Sequence, residues 1–369
     1  MIKRFIFPMT FLFVIFSMIC CNRHNQSSSN DMTLDDIEYV ENFPQTFFLN
    51  NAVEVNLDSL DILGILDFCI HDSLLILTTR DKAGLWSFVS LPDYHFLGKF
   101  LKIGGGPHEF IQSPWVYSES FFKEKESFFV AIYDFERGKL HKMNITESLK
   151  ENRLNIYTLN DSLPKTLFNF LMIDSVTFLC REINDERTKE TRYILDDNNK
   201  KETLPVLEKL NRASVRIGED FNILATITKR NADKKRIVEM PVYLNYINIY
   251  SLDGSFEKTV CIGKKLFDIN EIQDKSRGDR IYTFSYLSLF PNFFGVVFIN
   301  EDWETYERAR KKYPSILLFD WKGQPLAEIK LNTFIKKFDI DLTNGYLYTF
   351  DSKTDLFSKY DIRQILEKL

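Results

Sequence analysis

The 369-residue chain has little of what small-molecule chemistry usually leans on: five histidines, five cysteines and 14 glycines. The histidines, His24, His71, His95, His108 and His141, are scattered. Cys20 and Cys21 are adjacent, whereas Cys69, Cys180 and Cys261 are widely spaced and odd in number. That spacing excludes a closed disulfide framework and a paired CxxC metal site. Apolar neighbours, as in Phe178-Leu179-Cys180, predict buried free thiols acting as small hydrophobes. No G-x-S-x-G nucleophile elbow occurs. A membrane-spanning apolar run is also missing. The longest candidate, from Phe5 to Ile19, is interrupted by Pro8, Thr10 and Ser17 and falls short of the roughly 20 residues a spanning helix needs. Basic charge is in deficit. Without the first twenty residues the chain carries 45 Lys+Arg against 52 Asp+Glu, a net charge of −7, which excludes a general affinity for nucleic acid.

What is present begins with an export signal. Lys3 and Arg4 precede the apolar run, and Cys20, Cys21 and a polar tract with Ser27, Ser28 and Ser29 follow it. No A-x-A-like cleavage site ends the run, yet two cysteines stand where a lipoprotein signal places its modified residue. This predicts a lipoprotein signal peptide over 1–20 with lipidation at Cys21, which the small Cys20 precedes; Cys20 itself, preceded by the branched Ile19, is the alternative. A lipid on the new N-terminus would anchor the chain to a membrane, each buried methylene contributing about 0.8 kcal/mol. Residues 21–48 are expected to form a flexible tether.

The body, 49–369, reads as all-β. Short apolar or alternating runs recur: Leu74 to Thr79, Trp86 to Val89, Phe128 to Tyr133, Val176 to Leu179, Phe221 to Ile227, Tyr246 to Tyr250, Gly295 to Ile299, Ile316 to Phe319 and Tyr346 to Phe350. Hairpin signals stand at Arg137-Gly138, Asp253-Gly254, Lys322-Gly323 and Asn344-Gly345. The hairpins at 132–138, 249–254 and 318–323 superpose as a weak repeat resembling the outer hairpin of a four-stranded blade. The stretch from Asn51 to Tyr360 divides into about six units of about 52 residues, a propeller period. A six-bladed β-propeller of four-stranded antiparallel blades is therefore expected, with a two-sheet sandwich as the alternative. The run Ala52 to Leu57 should close the ring beside Leu356 to Tyr360, with Val53 and Val55 sharing the more buried face. One short helical insertion is expected from Glu301 to Lys312, where acids precede bases and Glu304–Arg308 and Glu307–Lys311 stand at i,i+4.

The segment Gly98 to Phe110, with Gly104, Gly106, Pro107, Glu109 and Phe110, resembles the G-x-GP-x-EF signature of TolB-like six-bladed propeller lipoproteins of Bacteroides-type bacteria. Ser315 to Trp321 with Gly323, Phe338 to Asp341, Tyr346 to Tyr348 and Lys359 to Asp361 resemble that family's last two blades. The resemblance implies six blades and a cell-envelope location, outer membrane included, and no particular reaction. The five signature residues read as a structural turn. Asn22, Arg23 and His24 lack the acidic cluster that resembles a surface-export signal, which favours a periplasm-facing anchor.

Chemical motifs fail on spacing. His108-Glu109 lacks a second histidine four residues on, where Gln112 stands, so a zincin site is excluded. Gly104 to Gly106 precede no Gly-Lys-Ser/Thr. Asp339 and Asp341 lack the calcium-loop glycine at the sixth place and the glutamate at the twelfth. Ser162 to Lys165 fits S-x-x-K with Pro164 inside it and no partner motif. No catalytic residue, metal or cofactor is expected. The function expected is binding or scaffolding for an unidentified envelope glycan, peptide or protein. The alternative is an envelope hydrolase or lyase acting on glycans at the channel mouth.

Overall fold

A strand flanked by other sheets on both faces has no side to give to water, so it reads as apolar at every position. Tyr246–Tyr250 (Tyr-Ile-Asn-Ile-Tyr) is such a strand and is buried throughout. Its two tyrosines pack with Leu171 and Leu179 on one side. Ile247 and Ile249 pack with Phe294 and Phe319 on the other. The computed structural model describes residues 30–369 apart from 58, 59, 61 and 63, so the signal peptide, Cys20 and Cys21 lie outside the described residues.

The described strands form six antiparallel sheets arranged as blades. Their spans are 65–100, 121–160, 169–202, 226–262, 281–331 and 337–361. Six apolar clusters fill the six gaps between neighbouring blades. The chain is thus a closed six-bladed β-propeller, and an open two-sheet sandwich is ruled out. Cys69, Cys180 and Cys261 are buried free thiols in these gaps. Burial pushes the Cys180 thiol up to about 12 and that of Cys261 to about 11, so neither is a thiolate at neutral pH.

The N-terminal part behaves differently from a tether over most of its expected length. Residues 30–49 are built onto the propeller. β1 (Ile37–Val40) adds in parallel to Glu257–Ile262 of blade 4, and β2 (Thr46–Leu49) adds in parallel to Pro325–Leu331 of blade 5. Met32 and Leu34 are fully buried ahead of β1. The Met32 N–H donates to the Tyr246 hydroxyl at 2.8 Å. Nine of the twenty residues from Asn30 to Leu49 are apolar or aromatic, enough to dock the stretch once its partner strands are in place. β3 (Val53–Glu54) then pairs antiparallel with Leu356–Asp361 and supplies the fourth strand of blade 6, as expected. The odd-numbered face is the more buried one, as expected, since Val55 and Leu57 enter the gap between blades 6 and 1, but Val53 on that face is 57% exposed.

Three local expectations also change. The acidic residues Glu301 and Asp302 end the strand Phe293–Asp302 rather than starting a helix. The insertion shrinks to a π-helical turn, Glu304–Ala309. Glu304 pairs with Arg308 at 3.1 Å, but Glu307 turns to Lys336 instead of Lys311. Phe221–Leu224 is a 3₁₀ turn capped by Asp220, and strand begins only at Thr226. Finally, the three superposed hairpins are not equivalent. Gly254 and Gly323 lie in third-to-fourth strand turns, whereas Gly138 lies in the second-to-third turn of blade 2. All three adopt φ between 65° and 82°, so the shared signal is that of a tight turn, common to any hairpin.

Candidate functional site

Twenty residues connect Phe96–Phe100, the last strand of blade 1, to Phe121–Glu124, the first strand of blade 2. The connection starts with the signature segment. Ile103 and Phe110 form an isolated bridge, with Gly104 N–H donating to Phe110 O at 3.0 Å. The Glu109 carboxylate folds back to accept the Gly106 N–H at 2.8 Å. A Cβ on Gly104 would stand 2.1 Å from that carboxylate oxygen, so a larger residue there would push the Glu109 carboxylate off the Gly106 N–H. Arg137 of blade 2 clamps the turn from outside by donating to the carbonyls of Gly104 and Glu109. Phe110 is buried beneath it. His108 is exposed and His141 buried; their rings meet edge-on at 6.0 Å. The carbonyls of Gly104 and Glu109 and the Phe110 ring thus hold this segment against blade 2, while the Glu109 carboxylate accepts a backbone hydrogen bond within the turn.

Beyond the turn the connection enters the propeller centre. A 3₁₀ turn, Ser118–Ser120, lies against inner strands of blades 1, 4 and 5. Glu119 approaches Lys229 at 3.6 Å, both side chains being buried. Lys229 also reaches the Tyr286 hydroxyl at 3.4 Å. Lys337 covers the Tyr286 ring at 4.5 Å and pairs with Asp67. Asp339 accepts the Ile70 N–H at 2.8 Å and its own neighbour Ile340 N–H at 2.9 Å. Burial raises the Asp339 carboxyl above its usual range despite these bonds.

The short first strand of blade 2 has a further consequence. It pairs only with Ser127 to Val130, which leaves Ala131 to Asp134 of the second strand without an inner neighbour. The space so opened belongs to a central cavity of about 650 Å³, lined from all six blades and the connection. The lining runs from first-to-second strand turns of blades 1, 4, 5 and 6, at Asp72, Asp233, Pro291 and Thr343, to Asp134 and Phe135 at the opposite end of blade 2. Its walls are aromatic. Tyr133 stacks on Phe170 at 4.5 Å and 14°, and Phe170 stacks in turn on Phe178. Trp115 is 66% exposed, and Phe168 and Leu342 are also exposed on the lining. The lining mixes these rings with charged and polar side chains such as Arg230, Asp233 and Gln112, and a concave pocket of this volume suits a small ligand.

Of the signature residues only Phe110 reaches the lining of this cavity, and the rest of the lining was not singled out as a site from the sequence. The signal available was the length of the 101–120 connection, since structureless stretches beyond about 12–15 residues are uncommon and often functional. The rejected motifs stay apart from it or play structural parts. Asp341 caps its own hairpin by accepting from Thr343 and Asn344, and Ser162 is exposed and bonded to Asn160. His71, at the cavity rim, stacks on Phe128 at 4.5 Å, and burial lowers its pKa. Among the described residues, no three His, Cys, Asp or Glu side chains converge as metal ligands. No helix among them is long and apolar enough to cross a membrane.

The chain matches none of the curated proteins. Among solved structures it is similar to a Bacteroides fragilis protein inferred to be exported, at 11% identity and a TM-score of 0.47, over 85% of this chain and 98% of that one. It is also similar to a DUF4221 family member from Bacteroides vulgatus, at 12% identity and a TM-score of 0.48, over 84% and 97% of the two chains. The family model described as TolB-like 6-blade propeller-like matches residues 66–343. With its six closed blades and this match over most of its length, the chain belongs to the TolB-like six-bladed propeller family.

Proposed function

We propose that this protein is an exported, lipid-anchored propeller of the bacterial cell envelope, facing the periplasm, whose central cavity binds a ligand or a segment of a partner protein. The observation that carries the reading is the aromatic cavity of about 650 Å³ opened by the short first strand of blade 2. Exposed Trp115, Phe168 and Leu342 are apolar surface that a bound molecule would cover. The N-terminal basic residues, apolar run and cysteine pair support export and anchoring. The glycan hydrolase alternative needs a pair of carboxyl groups free to act as acid and base. Along this cavity Asp72 is paired with Lys123, Asp134 with Arg137 and Glu119 with Lys229, Asp339 accepts two backbone N–H groups, and the exposed Asp233 makes no ion pair among the described residues, so the lining offers that alternative one free carboxylate rather than two.

The test is titration of the detergent-solubilised full chain with a panel of envelope glycans and peptides, read by tryptophan fluorescence. A true ligand quenches saturably, and the quenching is lost in Trp115→Phe while calorimetry still detects binding. Binding that persists unchanged when Ala131→Trp fills the cavity would place the site elsewhere.

A further inference from the structure

Arg230 ends the strand Thr226–Asn231 of blade 4 and lines the central cavity. It is half-buried, yet among the described residues it makes no ion pair; its recorded hydrogen bond is a 3.5 Å donation from Nη1 to the Met172 carbonyl. The other charges along the lining are differently placed. Asp72 lies 2.7 Å from Lys123, Asp134 3.2 Å from Arg137, and Glu119 3.6 Å from Lys229. Asp339 is saturated by two backbone N–H groups and the Ser288 hydroxyl. Asp233 also lacks an ion pair but is exposed at the turn, where water screens it. Burial lowers the pKa of the Arg230 guanidinium, with Asp174 the charge that opposes this. A guanidinium partly stripped of water and left without an anion is a costly arrangement that a bound anion relieves.

On the same lining Tyr133 stacks on Phe170, and Phe168 and Trp115 are exposed. We propose that the cavity takes a ring-bearing carboxylate, the ring lying on the aromatic wall and the carboxylate bound by the Arg230 guanidinium. This deepens the reading of the cavity as a binding site and rests on it. The planar guanidinium presents two parallel N–H donors that match a carboxylate, which a point charge does not reproduce. Both an aromatic acid and an acidic sugar satisfy the chemistry, since both join a flat face to a carboxylate.

The experiment separates them. Calorimetric titration of the full chain compares phenylacetate with phenylacetamide and galacturonate with galactose. The acid of at least one pair is expected to bind about tenfold or more tightly than its neutral partner. Arg230→Met should abolish that preference, Arg230→Lys should retain part of it, and Asp233→Asn should strengthen it by removing a neighbouring negative charge. Thermal unfolding of each variant confirms that the fold survives. Equal affinity for acid and neutral partner, or a preference that survives Arg230→Met, overturns the assignment while leaving the cavity as a binding site. Absence of binding by both acids at millimolar concentration also overturns it, and the wider panel then judges the cavity independently.

Discussion

The Val55 backbone N–H donates to the carbonyl of Phe357 at 2.9 Å, joining the N-terminal segment to the last blade and closing the ring. Val55 and Phe357 share one apolar cluster with Phe68 and Leu75 of blade 1, so the contact seals the gap between the last blade and the first. Truncations should separate this closure from the strands ahead of it. Removal of residues 1–29 is expected to leave the melting temperature unchanged. Removal through Leu49 takes away β1, β2 and the buried Met32, Leu34 and Val40, a loss on the order of 5 kcal/mol at roughly 1.5–3 kcal/mol per side chain. Removal through Leu57 should destabilise further by exposing the edge of blade 6. Calorimetric melting of the three forms checks the order, and equal melting of the last two would show that β3 does not close the ring.

A buried ion pair offers a second test. Arg192 contacts Glu239 through Nε at 2.7 Å, and Tyr250 donates to the same carboxylate at 3.1 Å. Burial pushes the Glu239 carboxyl up, but the Arg192 charge and hydrogen bond outweigh it and hold the group below the usual range. Glu239→Gln should cost about 3–5 kcal/mol in denaturant unfolding, because a charge stays buried with half its compensation gone. The double change Arg192→Met with Glu239→Leu should recover most of that loss. A double variant as unstable as the single one would show that packing, rather than charge, sets the cost.

The pH dependence near neutrality should follow His141, which is buried and whose imidazole burial lowers to about 4. Its folded pKa lies below the unfolded value near 6.5. As pH falls from about 6.5 to 4 the unfolded chain takes up a proton that the folded chain refuses, so stability is lost across that window. The loss is at most about 3 kcal/mol from this group. His141→Gln should flatten the melting-temperature profile between pH 7 and pH 5. An unchanged profile would assign the dependence to other groups.

Anchoring is tested by labelling with an alkyne fatty acid. Cys21→Ala is expected to abolish the label and release the protein, with Cys20→Ala having the smaller effect. Label retained in the Cys21 variant would reassign the lipidated cysteine or remove the lipid anchor. With the anchor periplasm-facing, protease added to intact cells should leave the protein uncut.

Many strand positions could be read from residue order because the determinants are local. Leu74–Thr79 and Tyr246–Tyr250 are strands at the very residues whose composition marks them, and glycine at a turn announces its own φ. The helical insertion expected from Glu301 begins only at Glu304, because acidic residues such as Glu301 and Asp302 can equally end a strand. The docking of residues 30–49 was illegible for a different reason. Each parallel pairing joins segments more than 200 residues apart, such as Ile37 with Thr259, and nothing within either segment encodes its partner.

By itself, then, the sequence determined the all-β class, the tight turns and the buried thiols. These depend on alternation, turn chemistry and apolar context within a few residues. Only the tertiary structure decided that the first strand of blade 2 stops short, that Tyr133 and Phe170 meet as a wall, and that Arg230 lines the cavity with no ion pair among the described residues. A cavity is the space left by elements from all six blades, so its shape and charge balance exist only once the ring has closed.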